Sequence, residues 1–581
     1  MRQKEQKMNG QRLLLMTALI GWVRFGSAAE GPGIEPHGGN FEGPVFVTIT
    51  APSREGQVRV TVDGSEPAFE PYALDGSRPM TQSYAIRAPF RLATSATVKA
   101  RVFGADKQPL GPTSEAAFVI RQRLRPGVPF HPVDWSADVE TWWSRHPMNP
   151  KSPQPFTGPV ESPPFRVNVA DARRQHPETT TAGIEEALAM LPAEGGTLWF
   201  PKDQGPYVIT KPDSAQKLSA GSYLWGGAIK IRNRSNLHFL SDGAVIRCDH
   251  TAFGIAGGEF DRFRQVEHPA VNYYFQNLVF DGNGQAGAAM LFPQEGENFH
   301  ILNTSDVMFD QCRFVGSVNP RVGHGGLVSL AFKSDNIWFR DCFFESGMWG
   351  VYWDGVHGGG LVNCTFTGRF TNGGFVLFTN DDLSPFDFRL RSAQYVVVAG
   401  CTFGGPDEPR KYNAATAFHM AGEKCLFIGN TVNRAYRVGV SCDGKLAPDF
   451  RPYRYYYTGN RIVDNRFRGV DTLLLINSLT YPKTISARLS DYLVRDNDAT
   501  DLQTFAELAV RPGAAEIENV RIEKNRLAGR NTPQLIAKQG GVRGARVTGN
   551  TFAGQNREMV VGPSEGLPPD AVVVEANTFD R

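Results

Sequence analysis

Apolar and polar residues alternate with period two over residues 40–122, in short runs separated by turn residues. Val45-Phe46-Val47-Thr48-Ile49-Thr50, Gln57-Val58-Arg59-Val60-Thr61-Val62 and Thr97-Val98-Lys99-Ala100-Arg101-Val102-Phe103 each read as a strand with one buried face. No helical pattern interrupts them, so a small Ig-like β-sandwich is expected over 31–122. Residues 126–164 then hold ten Pro and three Trp (Trp135, Trp142 and Trp143) without sustained periodicity. Such a stretch, 123–164, is expected to be a stiff linker or an extended strap, with the Trp cluster docked on the domain that follows.

From 165 the pattern changes. Phe165-Arg166-Val167-Asn168-Val169 reads as a strand, and Thr179 to Leu191 as an amphipathic helix with Ile184, Leu188 and Leu191 on one face. Gly195-Gly196-Thr197-Leu198-Trp199-Phe200-Pro201 and Tyr207-Val208-Ile209 follow. Further on, one phrase recurs: alternating apolar residues, then Asn or Cys, any residue, and often Phe. It appears at Cys342-Phe343-Phe344, Cys364-Thr365-Phe366, Cys401-Thr402-Phe403, Asn550-Thr551-Phe552 and Asn577-Thr578-Phe579, with weaker copies centred on Asn277, Cys312, Asn430, Asn465, Asn497 and Asn525. The copies lie 22 residues apart at their closest (Cys342 to Cys364) and 37 at their widest (Cys364 to Cys401).

A period of this size without helical patterning predicts a solenoid of β-coils. Each copy then places one residue at the same corner, and those residues stack about 4.8 Å apart. Asn suits a stacked corner because its amide bonds the amides above and below and tolerates a left-handed backbone. Stacked Cβ vectors run parallel, which is poor disulfide geometry, so Cys312, Cys342, Cys364 and Cys401 are expected as free thiols in a core ladder. Eleven or twelve rungs predict a cylinder about 55 Å long.

Two resemblances follow from these residues. Thr61-Val62-Asp63-Gly64-Ser65-Glu66-Pro67, with Ser95-Ala96-Thr97-Val98-Lys99-Ala100-Arg101, resembles the chitobiase/hexosaminidase C-terminal-type sandwich, an accessory module of secreted carbohydrate enzymes. Asp63-Gly64 by itself is a hairpin turn. The helix, the Gly195–Pro201 segment and the corner ladder resemble the pectate-lyase-like superfamily. That likeness implies an all-β chain: a right-handed parallel β-helix with an N-terminal cap helix over 165–581.

Composition narrows the function. Gly (61) and Pro (39) imply many turns and few long helices. A net charge of +2 argues against a nucleic-acid binder. Arg2, Lys4, Lys7 and Arg12 precede the apolar run Leu13–Val23, and Ser27-Ala28-Ala29 offers small residues for cleavage. Residues 1–29 therefore read as a secretory signal, too short for a membrane span. Cleavage there takes five bases and one acid and leaves a net charge of −2. The expected product is secreted or periplasmic, monomeric and without a membrane span.

Where coils exceed 22 residues, the excess is loop, and loops on a rigid scaffold carry function. The excess falls in the middle of the cylinder. There Lys333, Asp354, Asp381 or Asp382, His419 and Asp443 end or face out from strands on five consecutive rungs. Trp349 and Tyr352 flank them as aromatic platforms for a sugar chain. Carboxylates one rung apart raise one another's pKa and give a proton donor beside a base, as glycosidic cleavage requires.

A single Asp, an Asp-Asp pair one coil on and a His one coil further is similar to the polygalacturonase-type family 28 hydrolases. The likeness assigns catalysis to Asp354, Asp381, Asp382 and His419. The layout also resembles the β-helical α-galactosidases of family 110. N-T-D, G-H-G at His419 and the following R-I-K are missing. Asp354-Gly355, Asn380-Asp381-Asp382 and Asp443-Gly444 read equally as turns that end strands.

A hydrolase of a poly- or oligosaccharide, with no cofactor, is thus the leading expectation. A polysaccharide lyase or epimerase would draw its base from Lys333, Arg437 or His357 and use Ca²⁺. A non-catalytic sugar-binding surface protein is the third reading.

Overall fold

The computed structural model describes residues 30–580 apart from 43–44, 53–55, 63, 70–83, 86–89, 93–94, 122–127, 132, 134–136, 213–226, 257–269, 285–298, 303, 317–325, 332–333, 355, 379–392, 410–412, 445–454, 479–486, 511–516, 530–534, 539–541 and 555–570.

The N-terminal part has its own core between two sheets. One pairs Gly33–Glu35, Val45–Thr50 and Phe90–Leu92; the other joins Gly39–Glu42, Ser114–Arg121, Ala96–Phe103, Gln57–Thr61 and Tyr84–Ala85. Val47, Val60, Val98, Ala100 and Phe118 fill the space between. The two halves of the motif meet across this module. Gly64 N–H donates to the Thr97 carbonyl (3.0 Å), and Lys99 Nζ lies 2.7 Å from Glu66 Oε1.

The rest is a right-handed parallel β-helix. We name its three walls in the order the chain visits them. Wall A is a parallel sheet whose main path runs through fourteen strands from Arg166–Asn168 to Val572–Glu575. Wall B is a stack of short strands such as Thr402–Phe403 and Thr431–Asn433, and wall C carries longer ones such as Asn413–Met420 and Tyr436–Gly444. Strands Phe343–Asp354 and Thr365–Phe378 bend through the corner and belong to both B and C.

The recurring phrase has a physical cause. Phe280, Phe314, Phe344, Phe366 and Phe403 point inward from wall B and stack face to face at 4.7–5.2 Å. Phe239, Phe275, Phe309 and Phe339 form a second stack from wall A at 4.5–4.7 Å. One ring per rung fills the core at the strand spacing, so the sequence repeats it.

The corner ladder is one residue out from expectation at its start. The strand register places Leu278, not Asn277, in line with Cys312, Cys342, Cys364, Cys401 and then Asn430 to Asn577. Asn277 instead occupies the preceding left-handed position (φ 54°). The same position holds Gln311, Asp341, Asn363, Gly400, Gly429, Asp464, Asp496, Lys524, Gly549 and Ala576 on later rungs, all with positive φ. The left-handed residue turns the chain and the ladder residue fills the space behind it, so the two tasks belong to neighbours.

Every ladder Asn from Asn430 to Asn550 donates from Nδ2 to the next amide oxygen at 2.9–3.0 Å. All seven Cys are free and buried. The coil also starts earlier than the phrase does, because Ala244 and Leu278 serve the first corners without Asn or Cys. Fourteen rungs span about 60 Å.

Two further differences concern helices. The cap contains a second helix, Val169–Gln175, N-capped by the Asn168 side chain, before Ile184–Met190. The Pro-rich segment contains the helix Val139–Arg145, capped by Asp138 accepting from Thr141 N–H at 3.0 Å. Neither shows sustained periodicity because each is only seven residues long and buries one short face.

This segment is a strap over the outer face of wall A. Trp142 packs on Tyr395 (5.4 Å), Trp143 on Trp338 (6.0 Å) and His146 on Trp338 (4.5 Å). Beside them, Asp310 is fully buried and satisfied by Arg340 (2.6 and 2.8 Å) and Tyr274 Oη (2.7 Å). Phe156 of the strap lies on that guanidinium at 4.5 Å. Trp135 lies outside the described residues.

Candidate functional site

The strands of wall C alternate at the middle of the cylinder. One set of positions, Val351, Phe375, Phe418 and Val440, faces the core, and the next, Tyr352, Val376, His419 and Ser441, faces out. His419 therefore sits on the outer face. Its Nδ1 lies 3.0 Å from the Ser441 hydroxyl on the next rung, and both side chains are buried. Which ring nitrogen carries the proton is set by that contact and its other neighbours.

The same register corrects the expected single column. Asp354 ends its strand and pairs with Ala331 on one side and Phe378 on the other. His419 pairs with Val376, two residues earlier in the strand, so it belongs to the Tyr352 row and not to the Asp354 row. Two rungs and two residues separate the Asp354 and His419 backbones, about 12 Å. Asp443 falls in the Asp354 row, three rungs on, where it pairs with Asn477. A strand register shifted by two residues is enough to separate the rows, and sequence spacing does not reveal it.

Asp381 and Asp382 lie outside the described residues, as does Lys333. The two acids fall in the 379–393 connection between strands Thr365–Phe378 and Gln394–Ala399, three and four residues beyond Phe378. By contrast, only two residues separate Asp354 from His357 at the same corner one rung earlier. The strand that precedes the 379–393 connection ends at Phe378, paired with Asp354.

Trp349 and Tyr352 are on this face, but not as open platforms. They are 6% and 4% exposed, stack on one another at 4.8 Å and pack with Val376. Their aromatic faces are used against each other. Arg437 is exposed at the opposite end of its strand from Asp443, six residues or about 20 Å away, so it does not join the Asp354 end.

His357 has turned the corner onto wall A. It is 5% exposed, with Nδ1 4.0 Å from Asp335 Oδ1 on the preceding rung. The next two rungs place Gln394 and Glu423 in the same row, both buried, with Gln394 Nε2 donating to Glu423 Oε2 at 3.0 Å. Asp335, Gln394, Glu423 and Ser441 were missed in the sequence. Their signal was register alone, since each stands in an unremarkable local context. What this corner can do chemically is hold carboxylates and a histidine beside a strand end. Among the described residues no group of three or more His, Cys, Asp or Glu is placed to hold a metal ion.

No family model matches the sequence, and no curated protein matches it. Among solved structures the chain is similar to a family 28 exopolygalacturonase of Yersinia enterocolitica: 10% identity, 95% of this chain and 99% of that one, TM-score 0.40. It is also similar to the catalytic unit of a GH87 α-1,3-glucanase from Streptomyces thermodiastaticus: 12% identity, 91% and 85% coverage, TM-score 0.38. A third is the A-module of an Azotobacter vinelandii mannuronan C-5 epimerase: 17% identity, 71% and 99% coverage, TM-score 0.31. The register of its own walls identifies the chain as a right-handed parallel β-helix.

Proposed function

We propose that this chain is an exported, monomeric carbohydrate-active enzyme, a glycoside hydrolase that cleaves a poly- or oligosaccharide lying across the outer face of wall C. Asp354 works with Asp381 or Asp382 as acid and base, and His419, oriented by Ser441, holds or relays a proton. Asp443, near the end of its wall C strand, contacts the sugar. The observation that carries this reading is the convergence at one corner. The Asp354 strand end pairs with Phe378, three residues before Asp381 in the sequence, and the chain joins the row Asp335–His357–Gln394–Glu423 on wall A at His357, three residues past Asp354. Buried polar side chains are costly to desolvate, and a site is a reason to keep them.

The test is a polysaccharide panel read for new reducing ends and for ultraviolet-absorbing products in parallel. Hydrolysis raises the first signal only. Asp354→Asn and Asp381→Asn should each lower kcat by about a hundredfold or more, with the unfolding temperature unchanged. Full activity in both variants would sink the acid–base assignment. Unsaturated products would replace hydrolysis by elimination, and binding without product would leave a sugar-binding protein.

A further inference from the structure

The outer face of wall A changes character where the strap ends. Under the strap the outward residues are apolar or aromatic: Tyr274, Met308, Trp338, Val397 and Leu426. At the strap's edge, Glu140 reaches two arginines of the wall, 2.9 Å from Arg495 Nη2 and 3.9 Å from Arg461 Nε. Beyond that point no described residue of the strap covers the face, which is charged. Arg521 and Arg546 stand in register on adjacent rungs, about 4.8 Å apart. Together with Asn519, Glu523, Thr548 and Glu575 they line an open groove of about 640 Å³. Arg521 has Glu523 Oε1 at 3.7 Å, and Arg546 has no acidic partner within 4 Å among the described residues.

We propose that this groove binds a uronate unit of an acidic polysaccharide, its carboxylate held between Arg521 and Arg546. The strap shows how this wall takes a carboxylate: Glu140 lies against Arg461 and Arg495, which are one rung and two residues apart. Two like charges stacked at rung spacing repel, and an anion between them removes that cost. Glu523 and Glu575, which also line the groove, disfavour a polyphosphate. They accept hydrogen bonds from sugar hydroxyls instead, with Asn519 and Thr548. The ligand that fits is one carboxylate beside several hydroxyls. The groove lies on wall A and the candidate catalytic corner beside wall C, so the groove holds a polymer that the corner acts on elsewhere. The polymer identity rests on the carbohydrate reading; the anion site does not rest on Asp354.

Binding is measured calorimetrically on the full chain carrying Asp354→Asn, with oligogalacturonate and oligomannuronate as probes and a cello-oligosaccharide of equal length as neutral control. One acidic probe should bind, weaken with added salt, and lose at least tenfold in affinity in R521A/R546A and several-fold in R546A alone. The unfolding temperature should be unchanged, because both side chains are solvent-exposed or half so. Binding of neither acidic probe would overturn the proposal, as would equal affinity for the neutral oligomer or an unaffected double variant. Tighter competition by polyphosphate would mark a general anion surface and overturn the sugar assignment. Concentration-dependent dimers lost in R521A/R546A would mark a self-interface and do the same. Failure of the hydrolase reading appears separately, as unaltered turnover in Asp354→Asn with the chain otherwise wild type.

Discussion

Each rung of the coil is held at its corner by very few atoms. Asn497 Oδ1 accepts from the Asn465 N–H (3.0 Å) and Nδ2 (2.9 Å), while its own Nδ2 donates to the Ile462 carbonyl and to Asn525 Oδ1, both at 2.9 Å. Asn497→Ala removes both partners at once and leaves buried donors and acceptors unpaired, so it should cost about 3 kcal/mol in denaturant unfolding. Asn577→Ala, at a half-buried rung, should cost clearly less. Equal effects would mean that the amide ladder is not what holds the corner. The thiols higher in the same column give a second check. Burial pushes Cys342 and Cys401 well above the ordinary thiol range, and the whole set is enclosed. A thiol reagent should therefore find none of the seven in the native protein and all seven after denaturation. The ladder was legible in the sequence because one residue type per rung meets one requirement. Its neighbour in the left-handed position was not, since Asn, Asp, Gln, Lys, Ala and Gly all serve there.

The strap is the element whose behaviour depends on pH. His146 is fully buried among Trp142, Trp143 and Trp338, and His131 is 5.8 Å away. Desolvation and then His131 hold it well below the ordinary histidine range. His238, on the same face beside Tyr274, is lowered by burial to about 4. A histidine kept neutral in the folded state takes up its proton only on opening. Docking is therefore complete above about pH 6.5 and weakens as pH falls below it. Hydrogen exchange over 139–160 should accelerate across that window and stay flat above pH 7. Trp142→Ala should produce the same acceleration at neutral pH, because it empties a buried site worth about 3–5 kcal/mol. The sequence marked this segment through its Trp and Pro content. The face it covers is spread over wall A from Tyr274 to Val463, and only the coil collects those residues.

At the scale of the molecule, the sandwich and the coil have separate cores, with no residue shared between their apolar clusters. Calorimetry should show at least two transitions, the smaller one missing from a chain lacking residues 31–122. A single transition common to both proteins would mean that the two parts unfold as one.

Period and residue type determined the coil, its core stacks and its unbridged cysteines, because those features repeat every rung and each copy reinforces the others. The same reading pointed to the middle of the cylinder, since extra chain length shows in the spacing. It left open which side chains meet there. His419 and Asp354 fall in different rows, His357 turns onto another wall beside Asp335, and Ser441, Gln394 and Glu423 enter through register. A two-residue shift between strands changes no local pattern but moves a side chain by nearly 7 Å, and only the folded walls set that shift.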